Sequence, residues 1–296
     1  MIKRGAVVYN DKAGNEDHEK LLEDIKEILD PEVEELHFIA REHPGKIQEY
    51  LQDEENQWDQ VWIMGGDGTV HTCIDGLRKR GNKPVTAIIP AGTCNDFARS
   101  LNLPMDPLAA VRASLEGTVY WTDIGVCNGH AFTNFAGMGI IADTSENIDE
   151  EVKERMGRFS YFMSAWKTMK DAETFSYSMT IDGHQREGEA VMILVCNGGS
   201  IGTTKIPFPT IKMDDGMLDL IIMKGTGGEL FREWLHRSSK NGQVENTQGV
   251  THMQVKTVNL KTNPVKKVDA DGEVETETPA EIGIIPKAVP FIYANE

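Results

Sequence analysis

Val61-Trp-Ile-Met-Gly-Gly-Asp-Gly-Thr-Val70 is a short apolar run that enters a glycine loop carrying one acidic and one hydroxyl residue. The apolar half reads as a buried strand and the glycine half as a phosphate-cradling turn that opens a helix. Gly65, Gly66 and Gly68 remove Cβ atoms that would hold a phosphate away from the backbone, and they permit left-handed turns that aim successive N–H groups inward. Beside polyphosphate, Asp67 makes sense as a magnesium partner or as the orienter of one. The alternative is a tight strand-to-helix turn in which Asp67 caps the following helix. Downstream, Val85-Thr-Ala-Ile-Ile-Pro-Ala-Gly-Thr-Cys-Asn-Asp-Phe-Ala-Arg-Ser-Leu101 repeats the design: apolar strand, Pro90, glycine turn, then polar residues opening a helical pattern. Two such loops at the carboxyl ends of neighbouring strands would face one cleft of an open α/β sheet.

Outward from these loops, the first half of the chain alternates strand and helix patterns. Strands are expected at 5–9, 35–40, 60–64 and 86–89, and helices at 18–29, 45–52, 70–80 and 107–116. That rhythm predicts βαβ units and a mainly parallel sheet. After Thr118 the texture becomes short β-rich runs separated by Gly, Asn and Pro turns: 118–126, 130–136, 177–181, 189–196, 218–223, 255–261 and 267–269. The expected architecture is an α/β N-terminal nucleotide-binding domain, residues 1–120, followed by a β-rich, sandwich- or barrel-like C-terminal domain, residues 121–285. Helices near 158–171 and 228–237 would interrupt the second.

Composition sets outer limits. The 296 residues are enough for two domains, and 40% hydrophobic with 26% charged residues is ordinary for a soluble globular protein. No apolar stretch approaches a bilayer span, and Met1–Asn10 is too short for a signal h-region, so a cytoplasmic location is expected. Cys73, Cys94, Cys127 and Cys196 form no C-x-x-C pair, which fits reduced thiols and speaks against structural zinc. A formal net charge of −17 argues against nucleic acid as a partner. One basic stretch departs from it: Lys153, Arg155, Arg158, Lys167 and Lys170 against the single acid Glu154, interleaved with Phe159, Phe162 and Trp166. It reads either as a helix packing its apolar stripe onto the domain or as a peripheral membrane contact.

Neither glycine loop is a Walker A sequence or a G-x-G-x-x-G dinucleotide fingerprint. Gly65-Gly-Asp-Gly-Thr69 followed by Pro90-Ala-Gly-Thr-Cys-Asn-Asp-Phe-Ala-Arg99 resembles the catalytic domain of the diacylglycerol kinase and sphingosine kinase superfamily, especially soluble bacterial lipid kinases. The first motif is shared with NAD kinases; the second is more specific to lipid kinases. Asn10 with Gly14, the Met213-Asp-Asp-Gly-Met-Leu-Asp219 segment and Asp269-Ala-Asp-Gly-Glu273 extend the resemblance over nearly the whole length. It implies an NAD kinase-like first domain, rejoined by residues 286–296, that binds ATP, and a second domain that meets a lipid substrate at a membrane surface. It implies nucleotide contacts from Asn10, Gly14, Gly65, Gly66, Asp67, Gly68, Thr69, Gly92, Thr93, Asn95 and Asp96.

Phosphoryl transfer needs phosphates held, charge neutralised by magnesium and an acceptor hydroxyl in line. In resembling kinases the glutamate of the Asp-Gly-Glu turn is the general base, which carries over to Glu273, with Asp271 orienting it or helping with metal and Asp67 managing the catalytic ion. The bare residues also read as an acidic, solvent-facing hairpin. The Asp-Asp-Gly turn of the resembling bacterial enzymes binds a second, structural Mg2+ through one aspartate and nearby carbonyls, which maps to Asp215 with Lys212 and Met217; a simple turn before the 218–223 strand is the alternative. The chain departs from the family pattern at Asp11, at Val70-His71-Thr72-Cys73, where His71 is expected on the surface of the first helical turn, and along Gly198–Pro207, a region expected near the acceptor. The reading that results is an ATP- and Mg2+-dependent lipid kinase, diacylglycerol the leading acceptor. NAD kinase is the rival enzyme, and a non-catalytic nucleotide-sensing, membrane-recruitment protein the rival of another class. A homodimer is left open.

Overall fold

The structure is a computed structural model that describes residues 1–10, 16–41, 44–142, 173–201, 203–206, 208–225 and 249–295. Gly14, Asp11, the Lys153–Lys170 segment and the expected helices at 158–171 and 228–237 lie outside the described residues. The chain divides into two compact units, Met1–Thr122 with Lys287–Glu296, and Asp123–Pro286.

The first unit alternates as its periodicity dictates: β1 (Ile2–Asn10), α1 (Glu16–Leu29), β2 (Val33–Arg41), α2 (Pro44–Gln52), β3 (Gln60–Gly65), α3 (Asp67–Leu77), β4 (Val85–Pro90), α4 (Asp96–Ser100) and α5 (Pro107–Glu116). Strands β2, β1, β3 and β4 lie in that order and are all parallel, with Val7 opposite both Phe38 and Trp62, and Ile63 opposite Ile88. Near-continuous apolar runs make such strands, because helices cover both faces of a parallel sheet. Val7, Trp62, Met64, Ala87 and Ile89 are buried against Ile25 and Leu29 of α1 and Val111 of α5. Trp62 is wholly buried and remains satisfied because its indole Nε1 donates to Ser114 Oγ at 2.8 Å. Helix α5 occupies the expected residues because both ends are signalled: Asp106 accepts from the Ala109 amide at 2.8 Å, Pro107 occupies the first turn and Gly117 follows the last residue.

The second unit is antiparallel. It contains the second half of β5 (Thr118–Cys127), then β6 (His130–Phe132), β7 (Phe135–Gly139), β8 (Phe175–Ile181), β9 (His184–Ala190), β10 (Met192–Cys196), β11 (Ser200–Ile201), β12 (Thr204–Lys205), β13 (Leu218–Met223), β14 (Val250–Val255), β15 (Thr257–Asn263), β16 (Lys267–Ala270), β17 (Glu273–Glu277) and the start of β18 (Ala280–Tyr293). One sheet runs β14-β13-β10-β7-β16-β17; the start of β18, β15, β8 and β9 form another run of neighbours. Inward residues of both, among them Met179, Val258, Leu260, Val195, Leu220 and Val268, share one buried cluster, which makes the unit a β-sandwich. The other face of β10 and β13 is buried as well, in a cluster with Leu194, Ile221, Ile206 and Phe208, so these strands read as unbroken apolar runs.

Three expected strands are each two strands in different sheets; the 130–136 run contains all of β6 and the start of β7, with Thr133 and Asn134 between them. The 189–196 run contains the end of β9 and all of β10, and the 255–261 run contains the end of β14 and most of β15. In these last two the chain changes sheets through a single residue, Val191 or Lys256, leaving no turn signal to read. Most of β9 escapes hydrophobic patterning because His184-Gln-Arg-Glu-Gly-Glu189 is a polar edge strand, the composition that protects an edge from pairing with another chain.

Candidate functional site: two glycine loops, an acidic hairpin and an Asp-Gly turn

The first unit's parallel order sets the place of its loops. From β1 the chain returns through α1 to β2 on one side, and from β2 it returns through α2 to β3 on the other, so connections leave in opposite directions between β1 and β3. Ligands of open α/β sheets bind outside the carboxyl ends of strands at such a switch point. Asn10 ends β1, Gly65 ends β3 and Pro90 ends β4 opposite Gly65. The fold thus brings Asn10, the Gly65–Thr69 loop and the Gly92–Asp96 loop to one edge of one sheet.

The glycines act differently from expectation. Gly66 has φ −88° and ψ −175°, Gly65 is the last strand residue and Gly68 lies within the first turn of α3, so none takes a left-handed turn. Instead they permit close approach. A Cβ on Gly65 would lie 2.5 Å from Thr69 Cβ, and a Cβ on Gly92 would lie 2.4 Å from Gly66 Cα. The Ala91 amide donates to the Gly65 carbonyl at 3.1 Å. The two loops are therefore packed backbone on backbone. The left-handed residue is Asn95, with φ 52°, whose side chain closes its own loop by accepting from the Gly92 amide at 2.9 Å and donating to the Gly92 carbonyl at 2.8 Å.

Asp67 caps a helix, but not the one it begins. Its Oδ1 accepts the Asp96 amide at 2.7 Å, at the start of α4, while α3 has no side-chain cap. Asn95 and Asp96 are buried and Gly92 and Thr93 are exposed, so the second loop presents a wet rim on a fixed base. Cys94 is pushed up to about 11, first by desolvation and then by Asp96 and Asp67, and is a protonated thiol at neutral pH. His71 is only 7% exposed; contrary to expectation it faces the interior, because it lies one turn before Ile74 on the buried stripe of α3.

In the second unit, β16 and β17 form a hairpin in which Ala270 opposes Glu273 across Asp271 and Gly272. Both central residues have positive φ, 52° and 92°, the Asp-Gly geometry that suits the twist of paired strands. The Asp271 carboxylate is drawn into the protein: Oδ2 accepts the Thr133 amide at 2.6 Å and hydroxyl at 2.8 Å, and Oδ1 accepts the amides of Asn134 at 2.8 Å and Phe135 at 3.0 Å. Buried Asp269 accepts the Gly272 amide at 2.6 Å. Glu273, the first residue of β17, thus sits on a hairpin fixed from both sides.

The Asp-Asp-Gly turn is held in a similar manner. Asp215 accepts the Met217 amide at 3.0 Å and the Gln254 side-chain amide at 3.0 Å, and buried Asp123 accepts the Gly216 amide at 2.6 Å. Partial desolvation, together with the charges of Asp219 and Asp123, raises the Asp215 carboxyl above its ordinary value. Among the described residues no three His, Cys, Asp or Glu side chains gather around one ion position, so a cation here would draw on Asp215 and main-chain oxygens, as at Lys212 and Met217. One carboxylate with carbonyl oxygens and retained waters fits magnesium.

Sequence reasoning missed Asp123, Thr133 and Asn197, which fasten these turns. Asp123 carried a readable signal, an acid inside an apolar β-run, where burial demands partners.

Comparison with known proteins matches two stretches of the chain to described families. Residues 4–127 match the family described as "Diacylglycerol kinase catalytic domain", and residues 135–293 match "YegS C-terminal NAD kinase beta sandwich-like domain". A Staphylococcus epidermidis protein named "Putative lipid kinase" is 31% identical over 298 residues, covering 99% of this chain and 97% of its own. A Staphylococcus haemolyticus protein of the same description is 32% identical over 300 residues, covering 100% and 97%. The crystal structure of a "putative diacylglycerol kinase" from Bacillus anthracis superposes with a TM-score of 0.88 at 34% identity, covering 99% of this chain and 97% of the other. A mainly parallel α/β unit followed by a β-sandwich is thus a shared plan, and the chain belongs to the diacylglycerol kinase catalytic-domain family, in its bacterial lipid kinase branch with a YegS-type C-terminal domain.

Proposed function

We propose that this protein is an ATP- and Mg2+-dependent lipid kinase that transfers the γ-phosphoryl group of ATP to a lipid hydroxyl, with diacylglycerol as acceptor and phosphatidic acid as product. The observation that carries the reading is the convergence of Asn10, Gly65–Thr69 and Gly92–Asp96 on the carboxyl edge of one parallel sheet, beside its switch point. Residues 1–120 with 286–296 form the ATP-binding domain, and residues 121–285 the lipid-substrate domain. Gly65, Gly66, Gly68, Thr69, Gly92 and Thr93 line the phosphates; Asn10 and Gly14 meet the nucleotide; Asn95 and Asp96 keep the second loop in shape.

In the transfer, the acceptor oxygen bonds to the γ-phosphorus as the bond from that phosphorus to the β–γ bridging oxygen breaks. The hydroxyl proton passes to Glu273 and ADP leaves. Asp271 holds the turn that aims Glu273, and Asp67 manages charge at the phosphates. Magnesium, when bound, supplies neutralisation of the phosphate oxygens; a structural ion would lie at Asp215 with the Lys212 and Met217 carbonyls. No helix among the described residues is long and apolar enough to cross a membrane. In this reading the protein works in the cytoplasm and reaches its lipid peripherally through the basic Lys153–Lys170 stretch.

The deciding experiment is transfer of label from γ-labelled ATP to diacylglycerol, ceramide, sphingosine, undecaprenol and NAD in parallel, with magnesium varied. Label on diacylglycerol that requires magnesium supports the reading. Label on NAD alone makes the protein an NAD kinase, and no transfer to any acceptor with retained ATP binding makes it a nucleotide sensor.

A further inference from the structure

We infer that Asn197 is a positioning residue for the Glu273 hairpin; the inference rests on the general-base role proposed for Glu273. Asn197 follows β10 and is wholly buried, 0% exposed. Its Nδ2 donates twice, to the Asp123 carbonyl and the Thr133 carbonyl, each at 2.9 Å. Turning the amide over would set its oxygen against two carbonyl oxygens, so the orientation is fixed. The main chain adds to this: the amides of Asn197 and Gly198 both donate to the Asn134 carbonyl, at 2.8 and 3.0 Å.

Gly198 makes that approach possible. A Cβ there would lie 2.6 Å from Asn134 Oδ1 and 3.0 Å from Asn134 Cα, so no other residue fits without displacing the segment. The braced segment, Thr133-Asn134-Phe135, gives three amides and one hydroxyl to Asp271, whose own amide returns a bond to the Phe135 carbonyl at 3.0 Å. Asp271 and Gly272 form the turn whose next residue is Glu273. A continuous path of hydrogen bonds thus runs from the Asn197 amide through residues 133–135 into the hairpin. A general base loses efficiency with small misplacement, on the order of 10²-fold per ångström at worst. Gly198, at the start of the run that departs from the family pattern, has its structural use here in closing the end of β10 onto this segment.

The test compares the parent with Asn197→Asp, which keeps shape but replaces two donors by acceptors facing carbonyls. Amide hydrogen exchange of the 267–277 hairpin is followed together with kcat and the KM for ATP on the lipid acceptor. The expected result is faster exchange in the hairpin, unchanged exchange at residues 65–69, and kcat lowered by about 10- to 100-fold with the KM for ATP nearly constant. Should Asn197→Asp not fold, Asn197→Ser carries the test, since its shorter side chain loses the double donation to the Asp123 and Thr133 carbonyls without adding a charge. Hairpin exchange equal to the parent's in a folded variant overturns the inference, as does unchanged kcat in an active enzyme. A parent without kinase turnover overturns the proposed function instead, and the exchange measurement still decides whether Asn197 holds the hairpin.

Discussion

Asp67 Oδ1 accepts the backbone amide of Asp96 at 2.7 Å, so the acid of the first glycine loop is the cap of the helix that follows the second. One side chain therefore sets the spacing of both loops, and its charge and its shape can be tested separately. Asp67→Asn keeps an acceptor oxygen and loses the charge. It should melt close to the parent but turn over poorly at saturating magnesium and ATP, since charge is what manages the ion. Asp67→Ala loses the cap as well and should be destabilised by about 0.5–2 kcal/mol in urea titration. Parent-like activity of Asp67→Asn would reduce the residue to a cap.

Gly92 is the position where backbone meets backbone. A methyl at Gly92 has no flexible neighbour to push aside, because what it meets at 2.4 Å is Gly66 Cα. Gly92→Ala should therefore separate the loops and weaken ATP binding at least tenfold. The rest of the first unit's sheet should stay intact, as read by slow amide exchange in β1 and β3. Gly216→Ala in the second unit, a strained left-handed position at φ 72°, should leave ATP binding alone.

The architecture was legible because its signals were periodic. Continuous apolar strands alternating with helical patterns define the parallel half, and Asp106-Pro107 with Gly117 marks both ends of α5. What escaped was tertiary. A glycine at a close approach and a glycine at a left-handed turn look alike in sequence, so the left-handed turns expected at Gly65, Gly66 and Gly68 are absent while the left-handed residue is Asn95. His71 is polar but lies one turn before Ile74, on the stripe that α3 buries, so its residue type points outward while its helical phase turns it inward. Asn197 carries no pattern at all: its partners, Asp123 and Thr133, lie more than sixty residues away in sequence.

Glu273→Gln should abolish turnover while leaving ATP affinity intact, because a base that accepts the hydroxyl proton acts in the transition state. The expected loss is about 10²- to 10⁴-fold in kcat. Calorimetric ATP binding alongside initial rates separates the two quantities. A loss within about threefold removes Glu273 as the base, given that range.

Lys167→Glu with Lys170→Glu should weaken binding to anionic vesicles well beyond tenfold at low salt, since each basic residue at such a surface contributes about 1 kcal/mol. The net charge of −17 does not prevent attraction, because charges farther than about one Debye length, roughly 8–10 Å, are screened. Turnover of a dispersed short-chain acceptor should persist. Equal sedimentation of variant and parent with anionic vesicles would move membrane access to another surface.

Asp215 allows a prediction whose sign depends on the ion. Its carboxyl is raised by desolvation and by Asp219 and Asp123, so in the folded chain it holds its proton to higher pH than in the unfolded chain. Without a cation, the charge therefore costs stability, and the cost appears as pH rises through and above the ordinary carboxylate value. Asp215→Asn removes that charge and keeps an oxygen for the Met217 amide. In EDTA it should match the parent at acid pH and melt higher than the parent at neutral pH. Magnesium reverses the order: an ion that binds only the folded state adds about 2.7 kcal/mol at a concentration of 100 Kd, and only the parent gains it. Thermal melts of both proteins at neutral pH, with EDTA and with millimolar magnesium, should cross. Parallel shifts in the two buffers would show that hydrogen bonds alone hold the turn and would remove the structural ion from Asp215.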